Sequence, residues 1–283
     1  VTGVQTCALP ICGLRAGFGD DWLRIGGLKL FADGALGPRT AWMLAPYERE
    51  PDNVGIAVTA PAEMLALATR ATLAGLPTAI HAIGDRAVRE VLDVFQQVRQ
   101  LEAENDIPPA ARRHRIEHVQ LIHPDDIPRL AQLDIIASMQ PIHATSDAHT
   151  ADRYWGDRAA YSYNARVQLD AGARLAFGSD SPIEPFDPLQ GLYAAVTRRH
   201  PNGSLVEGWR TDACLTVDEA LRAYTVGPAY AAGLEDRQGR IQPGFYADLV
   251  VLNTDPYQLD PAALDSLHVI ATIVGGQWRY GSV

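Results

Sequence analysis

The sequence predicts an α/β fold, with a parallel sheet or barrel wrapped by helices and a small antiparallel β piece after it. Three observations lead there. From Leu28 onward, strand-like runs alternate with helical stretches, the pattern of a parallel sheet covered by helices. Four short apolar runs each end in a residue able to hold a divalent metal: Lys29 in GLKLFADG, His81 in PTAIHAIGD, His118 in HRIEHVQL and Asp180 in RLAFGSDSP. A parallel sheet or barrel gathers its strand C-termini onto one face, where residues distant in sequence converge. Beyond about residue 235 the pattern becomes short alternating strands.

The elements follow in order. After Pro61, Leu65, Ala68, Thr72, Leu73 and Leu76 share one helical face until Gly75 and Pro77 end the helix. TAIHAIG is the next strand. Asp85 is then expected to cap a strongly periodic helix, with Val88, Val91, Leu92, Phe95 and Val98 inward and Arg89, Glu90, Gln96 and Gln97 outward. HRIEHVQL reads as a strand, Pro124 opens a short helix through Leu133, and DIIASMQP is a strand stopped by Pro141. The polar stretch from Ile142 to about Gly156 reads as a long functional loop. A helix over about 157–171 leads into RLAFGSDSP, and another runs from Asp187 to about His200. Thr216 and Glu219 form a capping box, with Leu215 and Ala220 as its hydrophobic staple. GRIQPGFYADLVVLN and HVIATIVGGQWRY are the closing strands, with Gly275 and Gly276 as a two-residue hairpin turn. Only about five barrel-type strands are found where a closed barrel needs eight, so N-terminal strands are expected to be missing.

Composition narrows the function classes. A net charge of -10 without a basic run argues against nucleic acid and anionic membrane surfaces. No stretch approaches the roughly 18 apolar residues of a membrane span, and no charged-then-apolar leader opens the chain, so a cytoplasmic location is expected. The three cysteines, Cys7, Cys12 and Cys214, form neither a zinc-ligand spacing nor a disulfide framework. Residues 1–12, VTGVQTCALPIC, fit neither helix nor strand and read as a non-native leader. That leaves a partial barrel over 13–235 and a small antiparallel β piece over 236–283.

Taken together, KLFADGALG, HAIGDRAV, RIEHVQ, GSDSP, TVDEALRAYTVGPAYAAG and GRIQPGFYADLVVLNTDP resemble the amidohydrolase superfamily, most closely its amidohydrolase-3 (YtcJ-like) group of metal-dependent hydrolases. The resemblance runs from about Asp20 to the C-terminus, in the family's order. It implies a (β/α)8 TIM-type barrel with a small β-sandwich, partial and composite over 236–283, and a metal at the barrel's C-terminal face. It makes Lys29 the strand-four lysine, often carboxylated and bridging two metals, His81 and His118 the next two ligands, and Asp180 the strand-eight aspartate. The family's first-strand His-X-His pair has no counterpart, since the first histidine here is His81. Without it, the more buried metal position keeps only Lys29 and Asp180, too few protein ligands for a tight zinc site.

Imidazole and carboxylate suit a divalent metal, with zinc favoured and one or two ions expected. A metal-activated water would attack the scissile carbonyl, and Asp180 would take its proton and return it to the leaving amine. Burial of Lys29 among Leu28, Leu30 and Phe31 would free its amine to capture carbon dioxide as a carbamate. Plainer readings exist for each residue. Lys29 would pair with Asp33 or a neighbouring carboxylate, His81 would be a hydrogen-bonded core histidine, and Asp180 a turn former. His143 is a weaker candidate for substrate contact. If His114, Ile116 and His118 face inward, Arg115 and Glu117 face the helices and need partners, because unpaired burial costs several kcal/mol. The reading that follows is a metal-dependent hydrolase of carbon-nitrogen bonds other than peptide bonds, acting on an amide, formamide or cyclic amide of a small molecule. No nucleic-acid or membrane partner is expected, and a homo-oligomer is allowed. Two rivals stand beside it. One is a truncated barrel fragment without catalysis; the other is a phosphate-binding barrel, for which GALGP at 34–38 is a lone match.

Overall fold

A computed structural model describes residues 13–281, so the leader 1–12, with Cys7 and Cys12, lies outside the described residues. Five strands, β1 (Leu28–Phe31), β2 (Thr78–Ala82), β3 (Arg115–His118), β4 (Ile136–Met139) and β5 (Leu175–Phe177), form one sheet in that order. The pairs β1 with β2, β2 with β3 and β3 with β4 are parallel. The chain divides into two compact units, one holding the described residues up to Ser138 together with His149–Arg174, the other Met139–Ala148 and everything from Leu175.

In the first unit, helix α1 (Pro61–Leu73) and helix α2 (Asp85–Glu104) pack against each other and against β1 and β2. Pro61 starts α1, where a missing N–H costs nothing. Its buried residues are Met64, Ala68, Ala71 and Thr72, so the inward face is rotated from the expected one and Leu73 is exposed. Small residues on that face let the two helices approach closely, which the position of the larger leucines does not reveal. Helix α2 buries Val88, Val91, Leu92, Phe95 and Val98 as its 3.6-residue period predicts. Its N-cap, however, is Gly84 rather than Asp85. Asp85 is the first helical residue and accepts the N–H of Leu44 at 2.8 Å, a partner 41 residues away.

Register settles which way each strand faces. Leu30, Ile80, Ile116 and Ala137 lie side by side and are buried. Phe31, His81, Glu117 and Ser138 line up on the opposite face, none of them fully buried. The expected orientation of β3 is therefore reversed. Ile116 points to the buried side and Glu117 shares a face with His81, because side-chain period 2 defines two faces without saying which is inside. His114, just before β3, packs on α2, its ring stacked on Phe95 with centroids 5.1 Å apart.

Beyond α3 (Arg129–Gln132) and β4, the expected loop over 142–156 is helical: α4 (Pro141–Ser146) and α5 (Ala148–Trp155), followed by 3-10 turns. Polar composition misled here, since these short helices bury Ile142, Ala144, Ala151 and Trp155 at helical spacing. The helix expected over 157–171 is shorter, α6 (Ala165–Asp170), starting where the Asn164 side chain accepts the Val167 N–H at 3.0 Å.

In the second unit, α7 (Pro188–Thr197) is capped by Asp187, which accepts from Leu189, and ends at Arg198 in the left-handed region. Helix α8 (Val217–Tyr224) begins with the expected capping box between Thr216 and Glu219, and α9 (Val226–Ala232) follows. Strands β6 (Leu249–Leu252), β7 (Val269–Val274) and β8 (Gln277–Gly281) form an antiparallel sheet in that order. Gly275 and Gly276 join β7 to β8 with φ of 58° and 76°, the two left-handed positions of a type I′ turn. The GRIQPG segment is turn rather than strand.

Candidate functional site

The first unit carries Lys29, His81 and His118. Lys29 lies on the open face of β1 and is exposed, with its Nζ 5.1 Å from the Phe31 ring centroid. The expected burial among Leu28, Leu30 and Phe31 is not found, because the two leucines point to the opposite face. Glu117, across the same face, senses the charge of Lys29. Burial opposes ionisation of Glu117, but Arg115, the Ser138 hydroxyl and Lys29 together hold its carboxyl below the usual range. Arg115 Nε donates to Glu117 Oε1 at 2.5 Å, so the two charges on β3 are each other's partners.

His81 is half-buried near the end of β2. Its Nε2 lies 2.8 Å from the Gly34 carbonyl and 3.5 Å from Asp33 Oδ1. A carbonyl only accepts, so that nitrogen carries the proton. His118 ends β3 with φ of 79°, and Val119 follows at 45°. Left-handed backbone is rare outside glycine and rarer for a β-branched residue, so this bend stores strain of roughly 1–3 kcal/mol per residue. The bend takes His118 out of the strand's alternation, and its ring meets that of His81 edge to face with centroids 4.6 Å apart. Nothing in RIEHVQ signals it, since neither residue favours positive φ.

Asp33 is the group that reading the sequence underrated. Fully sealed, it accepts three backbone N–H groups, from Trp42 at 2.9 Å, Ile83 at 3.0 Å and Gly84 at 2.8 Å. Burial pushes its carboxyl up to about 7, while these donors pull the other way. Gly84 is required beside it, because a Cβ there would lie 2.1 Å from the Trp42 carbonyl oxygen.

The second unit carries His143 and Asp180. His143 is buried on α4, and burial lowers its pKa against the pull of Glu184, Asp147 and Asp180. The ring is thus neutral near pH 7. Asp180 follows β5 with φ of 58°, a conformation aspartate tolerates better than most residues. Its side chain is 39% exposed, and Oδ2 lies 3.9 Å from His143 Nε2. Beside a neutral ring this is proximity, not an ion pair.

Comparison with known proteins identifies the chain's family. The chain matches the Amidohydro_3 model of the amidohydrolase family over residues 5–280. It is 35% identical over 261 residues to the putative amidohydrolase YtcJ of Bacillus subtilis, covering 92% of this chain and 48% of that protein. It is 31% identical over 260 residues to the N-substituted formamide deformylase of Arthrobacter pascens, covering 91% and 46% respectively. The crystal structure of an uncharacterized metal-dependent hydrolase from Pyrococcus horikoshii superposes with a TM-score of 0.79 at 34% identity, over 91% of this chain and 50% of that one. The chain thus spans about half the length of the curated relatives it matches. No described helix is long and apolar enough to cross a membrane. With a family match over nearly its whole length, the chain belongs to the amidohydrolase family.

Proposed function

We propose that this chain belongs to a metal-dependent hydrolase of carbon-nitrogen bonds other than peptide bonds, acting on a small amide, formamide or cyclic amide. The supporting observation is the family match over residues 5–280, within which the first unit carries the potential donors His81 and His118 and the second carries Asp180. One relative of the whole chain is an N-substituted formamide deformylase. Two imidazoles and a carboxylate fit a divalent ion, and zinc prefers such nitrogen and oxygen ligands. In this reading Lys29, as a carbamate, His81, His118 and Asp180 are the ligands of one or two ions, and His143 contacts substrate. The five parallel strands belong to a (β/α)8 barrel over 13–235, and β6 to β8 to a composite β-sandwich over 236–283. The enzyme works in the cytoplasm on a small molecule, and a homo-oligomer is compatible with this.

A bound divalent ion supplies Lewis acidity to a scissile carbonyl and lowers the pKa of a water. The chain's own groups handle the proton. Asp180, its side chain 39% exposed, accepts the proton of the attacking water and delivers it to the departing nitrogen. His143, neutral and held on α4, offers a hydrogen bond to substrate without adding charge. The Arg115–Glu117 pair keeps the face around Lys29 and His81 polar.

Elemental analysis of purified protein, followed by a screen of amides and N-formyl amines, tests the proposal. Alanine at His81, His118 or Asp180 is expected to remove metal and hydrolysis together; hydrolysis surviving in metal-free protein would overturn it. A second reading is a chain that binds metal weakly and does not turn over. Metal retention without hydrolysis across the screen is its signature.

A further inference from the structure

We infer that Asp33 is a positioning residue for His81, acting through the backbone and through its own Oδ1, 3.5 Å from His81 Nε2. Its carboxylate locks the segment after β1 to the entrance of α2 and so holds the Gly34 carbonyl against His81 Nε2. The inference rests on the proposed role of His81, but its geometry stands without a metal.

Asp33 and Gly34 are adjacent, and their polar atoms point at consecutive parts of one target. The Asp33 oxygens take the N–H groups of Ile83 and Gly84, two and three residues past His81. The Gly34 carbonyl takes His81 itself at 2.8 Å. A third bond, from Trp42 N–H to Asp33 Oδ2, pins the far side of the segment. Strand pairing adds the Ala32 N–H to the His81 carbonyl at 2.9 Å. The chain on either side of Gly34 is therefore fixed relative to the chain on either side of His81, and the imidazole has one orientation and one tautomer to adopt. A carboxylate that served only α2 needs neither the contact with Trp42 nor the adjacent carbonyl aimed at a ring nitrogen. Outer groups of this kind fix the tautomer and direction of a ligating histidine, and losing one typically costs 10- to 100-fold in metal affinity.

The test is long-range proton-nitrogen NMR of the histidine rings in chelator-treated protein near neutral pH, with zinc titrations in parallel. The full 283-residue chain is expected to show His81 protonated at Nε2. Asp33→Ala should mix the two tautomers and weaken zinc binding by roughly 10- to 100-fold. Asp33→Asn keeps the size but loses an acceptor oxygen, and should give an intermediate mixture. Asp85→Asn is the control, since Asp85 is also buried at the start of α2 but does not touch His81. It should lower thermal stability and leave the His81 tautomer alone. A wild-type His81 protonated at Nδ1 overturns the inference even if neither Asp33 variant folds, and so does an unmixed tautomer in folded Asp33→Ala. Failure to bind zinc with the tautomer results as expected would instead sink only the metal reading.

Discussion

Glu102 Oε1 and His114 Nε2 lie 2.9 Å apart with both side chains sealed from solvent, joining the end of α2 to the start of β3. Thr78 N–H donates to His114 Nδ1 at 2.9 Å, so the ring's one proton sits on Nε2 and is given to Glu102. Arg99 Nη1 reaches the other oxygen at 2.5 Å.

The pair predicts a one-sided pH dependence of stability. Burial lowers the His114 pKa from its ordinary 6.5. Burial opposes the Glu102 charge, but the bonds from His114 and Arg99 hold that carboxyl below its usual range. Both folded values are depressed, so the unfolded chain binds more protons on acidification. The stabilisation is complete above 6.5 and is lost as pH falls through the folded values. Urea unfolding between about pH 7.5 and 5 should show a declining free energy. Glu102→Ala, which strands Arg99 and His114, should cost about 3 kcal/mol at neutral pH. A pH-independent midpoint would count against the assignment.

Gly84→Ala should be costly, since Gly84 is the N-cap of α2, where alanine is also the poorer cap. The new Cβ would meet the Trp42 carbonyl oxygen at 2.1 Å and its carbon at 2.6 Å, backbone atoms that cannot rotate away. A loss of about 2 kcal/mol is expected, in the range for overpacking. Thermal unfolding reads it, and an unchanged Tm would show that the segment after β1 is loosely held.

Thr216→Ala removes one half of the α8 capping box. Thr216 Oγ1 accepts the Glu219 N–H at 3.2 Å, and the Glu219 carboxylate accepts the Thr216 N–H at 2.8 Å. The expected cost is about 1 kcal/mol. Chemical denaturation should show it, with Thr216→Ser restoring most of the loss.

Lys29 is the sole lysine of the sequence, which makes the proposed carbamate directly observable. Protein given zinc and carbon-13 bicarbonate should show a single carbamate resonance that Lys29→Arg abolishes. Because Lys29 is exposed, burial does not drive carbamate formation, and the signal is expected only with metal present. A signal that persists in Lys29→Arg would place the chemistry elsewhere.

Much of this architecture is legible in residue order alone. The α2 period, the Thr216–Glu219 capping box and the Gly275–Gly276 turn are local, each set by a few neighbouring residues whose conformational preferences agree. The strand ends bearing Lys29, His81, His118 and Asp180 could be listed for the same reason, since apolar runs and their boundaries are sequence properties. Tertiary structure decided the remainder. It chose which face of β3 is buried, because alternation defines two faces and only packing against α2 selects one. It made helices of 141–155, whose few apolar residues matter only once they meet the core. It gave Asp33 partners nine, fifty and fifty-one residues away, and bent the backbone at His118 and Val119 against their own preference. Such contacts draw their energy from residues distant in the chain, so no local pattern announces them.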